Sequence, residues 1–328
     1  MCTRAVYHGP DATIISVRSM DWMSDLGSNL WIFPRGIQRR GSVQPGGIAW
    51  TSKYGSVVTS AFEAATVDGM NEKGLVANLL YLAESDFGDP QAQAQNKPGL
   101  CISDWTQYVL DNYATVAAAV KALKKETFFV APAMSPDGHA GTVHLAITDP
   151  TGDTAIFEYV AGRLTIHHGP EFQVMTNSPI YDEQLALNKY WQSIGGTIML
   201  PGTNRAADRF VRASFYISSV TKTADNREAV AAAFSVIRNV SVPRGISMPD
   251  QPNIASTLWR TVADHKNRRY YFESTRDPNV FWVDLDDVNF KACAPVRRLL
   301  LTDDTIYAGN VVKQFAPAEP FAYLSVTL

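Results

Sequence analysis

Residues 1–22 read Met1-Cys2-Thr3-Arg4-Ala5-Val6-Tyr7-His8-Gly9-Pro10-Asp11-Ala12-Thr13-Ile14-Ile15-Ser16-Val17-Arg18-Ser19-Met20-Asp21-Trp22. Cys2 follows the initiator methionine, and a small residue there is the usual condition for removal of Met1. With Met1 gone, one residue carries a thiol and a free α-amine, with reference pKa values of about 8.5 and about 7.7–8.0. The amine then accepts the thiol proton near neutral pH, so nucleophile and base share a residue. Thr13–Arg18 alternates as a strand does and leads into Met20-Asp21-Trp22. Arg18 is placed to stabilise the thiolate and Asp21 to orient the ammonium group. On spacing alone, the same two residues also read as an ordinary surface pair.

Working outward, the chain has 328 residues, 46% of them hydrophobic, with 29 basic and 32 acidic side chains and a net charge of −3. This is ample material for a large core and excludes a disordered or fibrous chain. The slightly acidic balance argues against nucleic-acid or anionic-membrane partners. No run approaches the ~18 apolar residues of a membrane span, and the first residues lack the apolar core of a signal peptide. The three cysteines (Cys2, Cys101, Cys293) form no CxxC and no zinc spacing, so neither a metal nor a disulfide framework is expected. Cys101 and Cys293 lie among apolar neighbours and are expected to be inert core residues. The adjacent pair His167-His168 points to opposite faces of a strand and cannot chelate. The basic, aromatic run from His265 to Tyr271 reads as a hairpin turn entering a strand. There is no G-x-S-x-G elbow, P-loop or G-x-G-x-x-G turn.

Along the chain, short β-like runs at Leu30-Trp31-Ile32-Phe33, Ile48-Ala49-Trp50 and Val57-Val58-Thr59 are punctuated by Gly, Pro and Ser. Helical spacing predicts one helix over Ile102–Leu123 and two more over Ala206–Val220 and Arg227–Asn239. Val143–Thr148 and Ala155–Val160 flank Asp149-Pro150-Thr151-Gly152-Asp153 as a hairpin, and Arg163–His167 adds a third strand. A meander is predicted over Leu258–Val262, Arg269–Glu273 and Val280–Leu285. Strands, then helices, then strands indicate an α+β fold with antiparallel sheets. Nothing resembles a linker or repeat, so residues 1–328 read as one domain.

Five motifs stand in order: Cys2-Thr3-Arg4, Arg18-Ser19-Met20-Asp21-Trp22, Asp68-Gly69-Met70-Asn71-Glu72-Lys73-Gly74-Leu75, Thr176-Asn177-Ser178-Pro179 and Asp208-Arg209-Phe210-Val211-Arg212. Together they resemble the choloylglycine hydrolase family of N-terminal nucleophile hydrolases, which contains bile salt hydrolases and penicillin V acylases. The resemblance runs from Cys2 to about Phe215 and more loosely over Trp259–Leu285. It implies a four-layer α-β-β-α fold with two stacked antiparallel sheets. It further implies Cys2 as nucleophile with its own amine as base, Arg18 and Asp21 as its electrostatic partners, and Arg209 as the remaining site arginine. Asn177 matches the family asparagine whose amide helps bind the oxyanion, a contribution worth roughly 3–4 kcal/mol in comparable sites. Read without the family, Asn177 before Ser-Pro is a turn former.

The branch is decided at Asn78-Leu79-Leu80-Tyr81-Leu82. Bile salt hydrolases usually have Gly-Leu-Asn here, whereas this chain has Tyr81, with Trp22 directly after Asp21. Penicillin V acylases typically have an aromatic residue there, and Ser28-Asn29-Leu30-Trp31-Ile32-Phe33-Pro34-Arg35-Gly36 also resembles the Gram-negative acylases. Some of that branch cleave N-acyl homoserine lactones. Two rings suit a phenoxy group or fatty chain better than a steroid nucleus. The backbone N–H of Tyr81 is then expected as second oxyanion donor. The expected function is hydrolysis of a linear non-peptide amide through a Cys2 thioester, without metal or cofactor. The alternatives are a bile salt hydrolase and a non-catalytic binding protein of the same fold. The resemblance also implies a homotetramer. Cytoplasm follows from the sequence as written, and periplasm if Met1 replaces an export signal.

Overall fold

The structure is a computed structural model that describes residues 2–248, 251–277, 279–301 and 304–328. Among these residues two large sheets dominate. The first has seven strands in the spatial order Val174–Met175, Cys2–His8, Ile14–Asp21, Thr257–Asp264, Arg269–Ser274, Val280–Asp284 and Gly309–Asn310. The second has nine, in the order Arg163–His168, Thr154–Val160, Val143–Thr148, Val76–Tyr81, Ala65–Asn71, Ser56–Ala61, Leu30–Phe33, Arg297–Leu299 and Ala316–Pro317. Neighbours pair antiparallel except Val280–Asp284 with Gly309–Asn310. Helices Ala206–Ser219 and Asn226–Asn239 cover the seven-stranded sheet, and Ile102–Asn112 packs on the nine-stranded one. This is the expected four-layer α-β-β-α arrangement. No helix of the described residues is long and apolar enough to cross a membrane.

The strand Cys2–His8 escapes periodicity analysis because it is covered on both faces. Every residue from Cys2 to Tyr7 is buried, so apolar and polar positions do not alternate. Its two faces nevertheless have distinct jobs. Arg4 points at the nine-stranded sheet, donating to Thr148 and, at 3.4 Å, to Thr154. Thr3 and Tyr7 point at the helices, accepting from Arg209 and donating to Thr221 O respectively. Cys2 therefore looks into the space between the sheets, on the same side as Arg4.

The hairpin and the meander stand where the sequence places them, within a residue or two, and Ala206–Ser219 and Asn226–Asn239 match the two later helices. Ile102–Leu123 is not one helix. It breaks into Ile102–Asn112 and Val116–Leu123, with Tyr113 extended and Thr115 capping Ala118 N. Asn71 Nδ2 ties off the first helix by donating to Leu110 O and Tyr113 O (2.9 and 2.8 Å), a tertiary contact that periodicity cannot contain. The helix Tyr181–Ile194 was not expected, because it buries only Tyr181 and Gln184 and so shows no apolar stripe. Cys293 is a correction: it is exposed, at φ +70° in a turn closed by Ala294 N to Lys291 O, whereas Cys101 is buried as expected.

Two glycines of the Asp68–Leu75 motif have specific reasons. A Cβ on Gly69 would stand 2.7 Å from Val57 O and 3.0 Å from Leu110, where the Ile102–Asn112 helix seats on the sheet. Gly74 turns the chain at φ +81°, and a Cβ there would meet Pro150 at 2.8 Å. Its carbonyl accepts from Nδ1 of the wholly buried His265, whose Nε2 lies 2.8 Å from Ser16 Oγ. Burial lowers the His265 pKa to about 4. The unfolded chain then binds more protons between pH 6.5 and 4, so this stability is fully present above 6.5 and is lost as pH falls through 4. The loss amounts to about 3 kcal/mol at most. His265→Asn is expected to flatten the dependence of the melting temperature on pH across this window. An unchanged slope would place the acid sensitivity elsewhere.

Candidate active site

Cys2 lies opposite Met20 in the register of the first two strands, so Arg18 and Met20 share its face and Ser19 and Asp21 point to the other. The spacing of three between Arg18 and Asp21 thus puts them on either side of the sheet. Arg18 is fully buried, with Nη2 3.4 Å from Cys2 Sγ, 3.3 Å from Met20 Sδ and 3.1 Å from Leu79 O. Its guanidinium lies over the Trp259 ring, 4.6 Å from the centroid. On the helix side, Asp21 Oδ1 accepts from Thr257 (2.6 Å) and Oδ2 stands 3.9 Å from Arg209.

Arg209 projects from the Ala206–Ser219 helix and is also fully buried. Nη1 donates to Cys2 O (2.7 Å) and Thr3 Oγ1 (2.5 Å), and Nη2 to Asn177 Oδ1 (2.8 Å). Burial lowers its pKa, opposed by the nearby Asp21 and Cys2. Asn177 Oδ1 also accepts from the Cys2 nitrogen at 2.7 Å, and Nδ2 donates to Tyr81 O at 2.5 Å. An amide NH₂ has two donors, so one remains.

The strand edge at Tyr81 completes the arrangement. Tyr81 pairs with Val143, while Leu82 N donates to Thr142 O, so Tyr81's own N–H and C=O point away from the Val143–Thr148 strand. On that other side, the ladder with Ala65–Asn71 ends at the Asp68–Asn78 pair. The exposed edge is where Arg18 and Asn177 reach Leu79 O and Tyr81 O. The seven residues Cys2, Arg18, Asp21, Trp22, Tyr81, Asn177 and Arg209 therefore stand together. Met1, whose removal the sequence expects, lies outside the described residues.

Above Cys2 opens an apolar cavity of about 120 Å³, walled by Met20, Trp22, Leu26, Phe62, Val67, Leu79, Tyr81, Ile102, His139, Val143 and Leu324. The Trp22 and Tyr81 rings are 5.7 Å apart and tilted by 57°. A larger, more polar cavity of about 340 Å³ lies beyond Trp22 and does not include Cys2.

Sequence reasoning gave no role to Asp68, although it quoted the motif that begins there. This buried carboxylate sits 3.4 Å from Arg18 and accepts from Asn78 (2.8 Å), Tyr270 (2.6 Å) and Thr261 (3.2 Å). Burial raises its pKa, and Arg18 with these donors works against that rise. Gln184 was missed with its helix. It donates to Asn177 O and, at 2.6 Å, to Pro179 O, fixing the turn that presents Asn177. His144, held by Glu158 at 2.8 Å, supports the same turn through Thr176 O at 3.0 Å.

Residues 2–298 match the family model of linear amide C–N hydrolases, choloylglycine hydrolase family. The chain is 50% identical to penicillin V acylase of Pectobacterium atrosepticum, over 98% of this chain and 92% of that protein. It superposes on the structure of penicillin V acylase from Agrobacterium tumefaciens with a TM-score of 0.92 and 51% identity, covering 99% of this chain and 100% of that one. A mutant conjugated bile acid hydrolase from Clostridium perfringens shares the fold at a TM-score of 0.78 and 21% identity, over 92% of this chain and 97% of that one.

Proposed function

The chain belongs to the choloylglycine hydrolase family of linear amide C–N hydrolases, and from that premise we propose that Cys2 carries the reaction, on phenoxyacetyl or fatty acyl amides. The observation that supports this best is that all three polar atoms of Cys2 are engaged. Its nitrogen meets Asn177, its carbonyl meets Arg209 and its sulfur meets Arg18. In the proposed cycle, loss of Met1 turns the nitrogen into an amine that takes the thiol proton. Sγ attacks the amide carbonyl, and the oxyanion is received by the second N–H of Asn177 Nδ2 and the N–H of Tyr81. Collapse expels the amine, which takes the proton, and leaves a thioester on Cys2. Water, deprotonated by the α-amine, attacks the thioester and frees the carboxylic acid and the thiol. Arg18 favours the thiolate, Asn177 Oδ1 holds the nitrogen, and Arg209, 3.9 Å from Asp21, holds the carbonyl. The thiol, amine and oxyanion donors account for every step.

Penicillin V is the proposed test substrate because it is named for the two relatives about half identical to this chain. The cavity supports this independently. Its 120 Å³ is close to the ~150 Å³ that holds a benzene ring in an engineered core, a size that suits a flat ring. N-acyl homoserine lactones, whose chain can enter lengthwise, are proposed as further substrates. We further propose one domain over residues 1–328 and, from the family resemblance, a homotetramer. Release of amine from penicillin V, glycocholate and a long-chain acyl homoserine lactone is expected in that test to favour the first or the last. A kinetic preference for glycocholate would move the chain to the bile salt branch, and absence of any turnover would make it a binding protein.

A further inference from the structure

The segment 132–142 joins strands Phe129–Ala131 and Val143–Thr148 and overhangs the cavity above Cys2. It folds back on itself through a Met134–Ala140 bridge, with Ser135 N donating to His139 O (2.9 Å) and Gly138 N to Ser135 O (2.9 Å). At its tip stands Asp137. One carboxylate oxygen accepts from Trp22 Nε1 (2.7 Å) and Ser24 Oγ (2.9 Å), and the other from Ser135 Oγ with His139 Nδ1 at 3.3 Å. His139, from the same segment, meets the Trp22 indole edge to face at 5.6 Å and 83°. Trp22 is thus gripped at its N–H and at its ring by one short hairpin, and its ring also lies 5.7 Å from that of Tyr81.

A half-buried indole N–H needs an acceptor, and a carboxylate is the strongest one available. Partial burial alone would raise the Asp137 pKa, but the four donors hold it down to about 2, so it is ionised at working pH. Nothing else in the mechanism uses this carboxylate. It lies outside the cavity lining, whereas Ser135 and His139 on either side of it are part of that lining.

We propose that Asp137 is a positioning residue for acyl selection: by holding the Trp22 indole against Tyr81 it sets the shape of the acyl cavity, and so sets the preference for aromatic over small acyl groups. The inference rests on the acyl-amide reading above. Its substrate class follows from the geometry: amides whose acyl part carries a flat ring long enough to reach Trp22. An acetyl group carries no ring to pack against that wall.

The test uses phenoxyacetyl and acetyl amides of one amine, with kcat and KM read separately. Asp137→Ala is expected to raise KM for the phenoxyacetyl amide about tenfold with a much smaller change in kcat, and to narrow the phenoxyacetyl-to-acetyl ratio of kcat/KM. Asp137→Asn keeps an acceptor oxygen and should restore most of that ratio. Trp22→Phe keeps a ring without the N–H, so it should narrow the ratio by itself and make Asp137→Ala nearly silent in the double variant. Equal losses on both amides, or effects that simply multiply in the double variant, would overturn the proposal. Should Asp137→Ala fail to fold, Trp22→Phe decides: an unchanged ratio there overturns it too. A wild-type protein that cleaves neither amide ends the acyl-amide reading and this inference with it. A wild-type protein that cleaves both, with a ratio indifferent to these variants, ends this inference alone.

Discussion

Cys2→Ala is expected to reduce turnover at least about ten-thousand-fold while the protein stays folded. The substitution removes Sγ but leaves the backbone nitrogen that Asn177 holds and the carbonyl that Arg209 holds. The structural loss is one sulfur atom that touches Met20 Sδ at 3.7 Å and Arg18 at 3.4 Å, in a residue buried within the Cys2–His8 strand. That should cost about 1–2 kcal/mol, visible as a small drop in a circular-dichroism melt. Cys2→Ser should fold equally well and be far slower, because a neutral hydroxyl is a weaker nucleophile than a partly ionised thiol. The same reasoning fixes the start of the active chain. A nitrogen still bonded to Met1 is an amide and cannot accept a proton, so intact mass of fully active enzyme should show one methionine lost. Substantial turnover by folded Cys2→Ala, or full activity with Met1 in place, would remove Cys2 from the centre of the mechanism.

Much of this arrangement was legible because strand alternation is a rigid rule. Arg18 and Asp21, three apart at the end of the strand that alternation predicts, must face opposite layers, although the pairing of Cys2 with Met20 is set by the hairpin between them. Motif order likewise located Asn177 and Arg209, which arrive from a turn and a helix more than 170 residues away. What stayed hidden depends on contacts that no local pattern encodes. Strands Cys2–His8 and Ala65–Asn71 are buried on both faces, so period two is erased. The Tyr181–Ile194 helix is almost bare and carries no stripe, which concealed Gln184. Asp137 sits in an irregular tip whose sequence reads only as a turn, and its link to Trp22 spans 115 positions. Asp68 was visible as a motif residue, but its pairing with Arg18 crosses from one sheet to the other, and one sequence contains no record of how sheets stack.

That cross-sheet pair leads to the second large effect. Arg18→Ala is expected to lower kcat by about a hundred- to a thousandfold, because the guanidinium against the Cys2 sulfur is gone. It should also destabilise the fold, since Asp68 would be left between the sheets without its cation, a loss of roughly 3–5 kcal/mol for a fully buried pair. Inactivity of Arg18→Ala alone would therefore be ambiguous. Asp68→Asn resolves it. The amide keeps the shape and can still accept from Tyr270 or Thr261, but it carries no charge needing Arg18. The pair Arg18→Ala with Asp68→Asn should recover much of the lost melting temperature and none of the lost kcat. If the double variant regained both, Arg18 would be a counter-ion for Asp68 and the thiolate would need another source of support. If it regained neither, the stacking of Arg18 on Trp259 and its bond to Leu79 O would be the larger structural contribution, and the kcat of Arg18→Lys would isolate the charge at the sulfur.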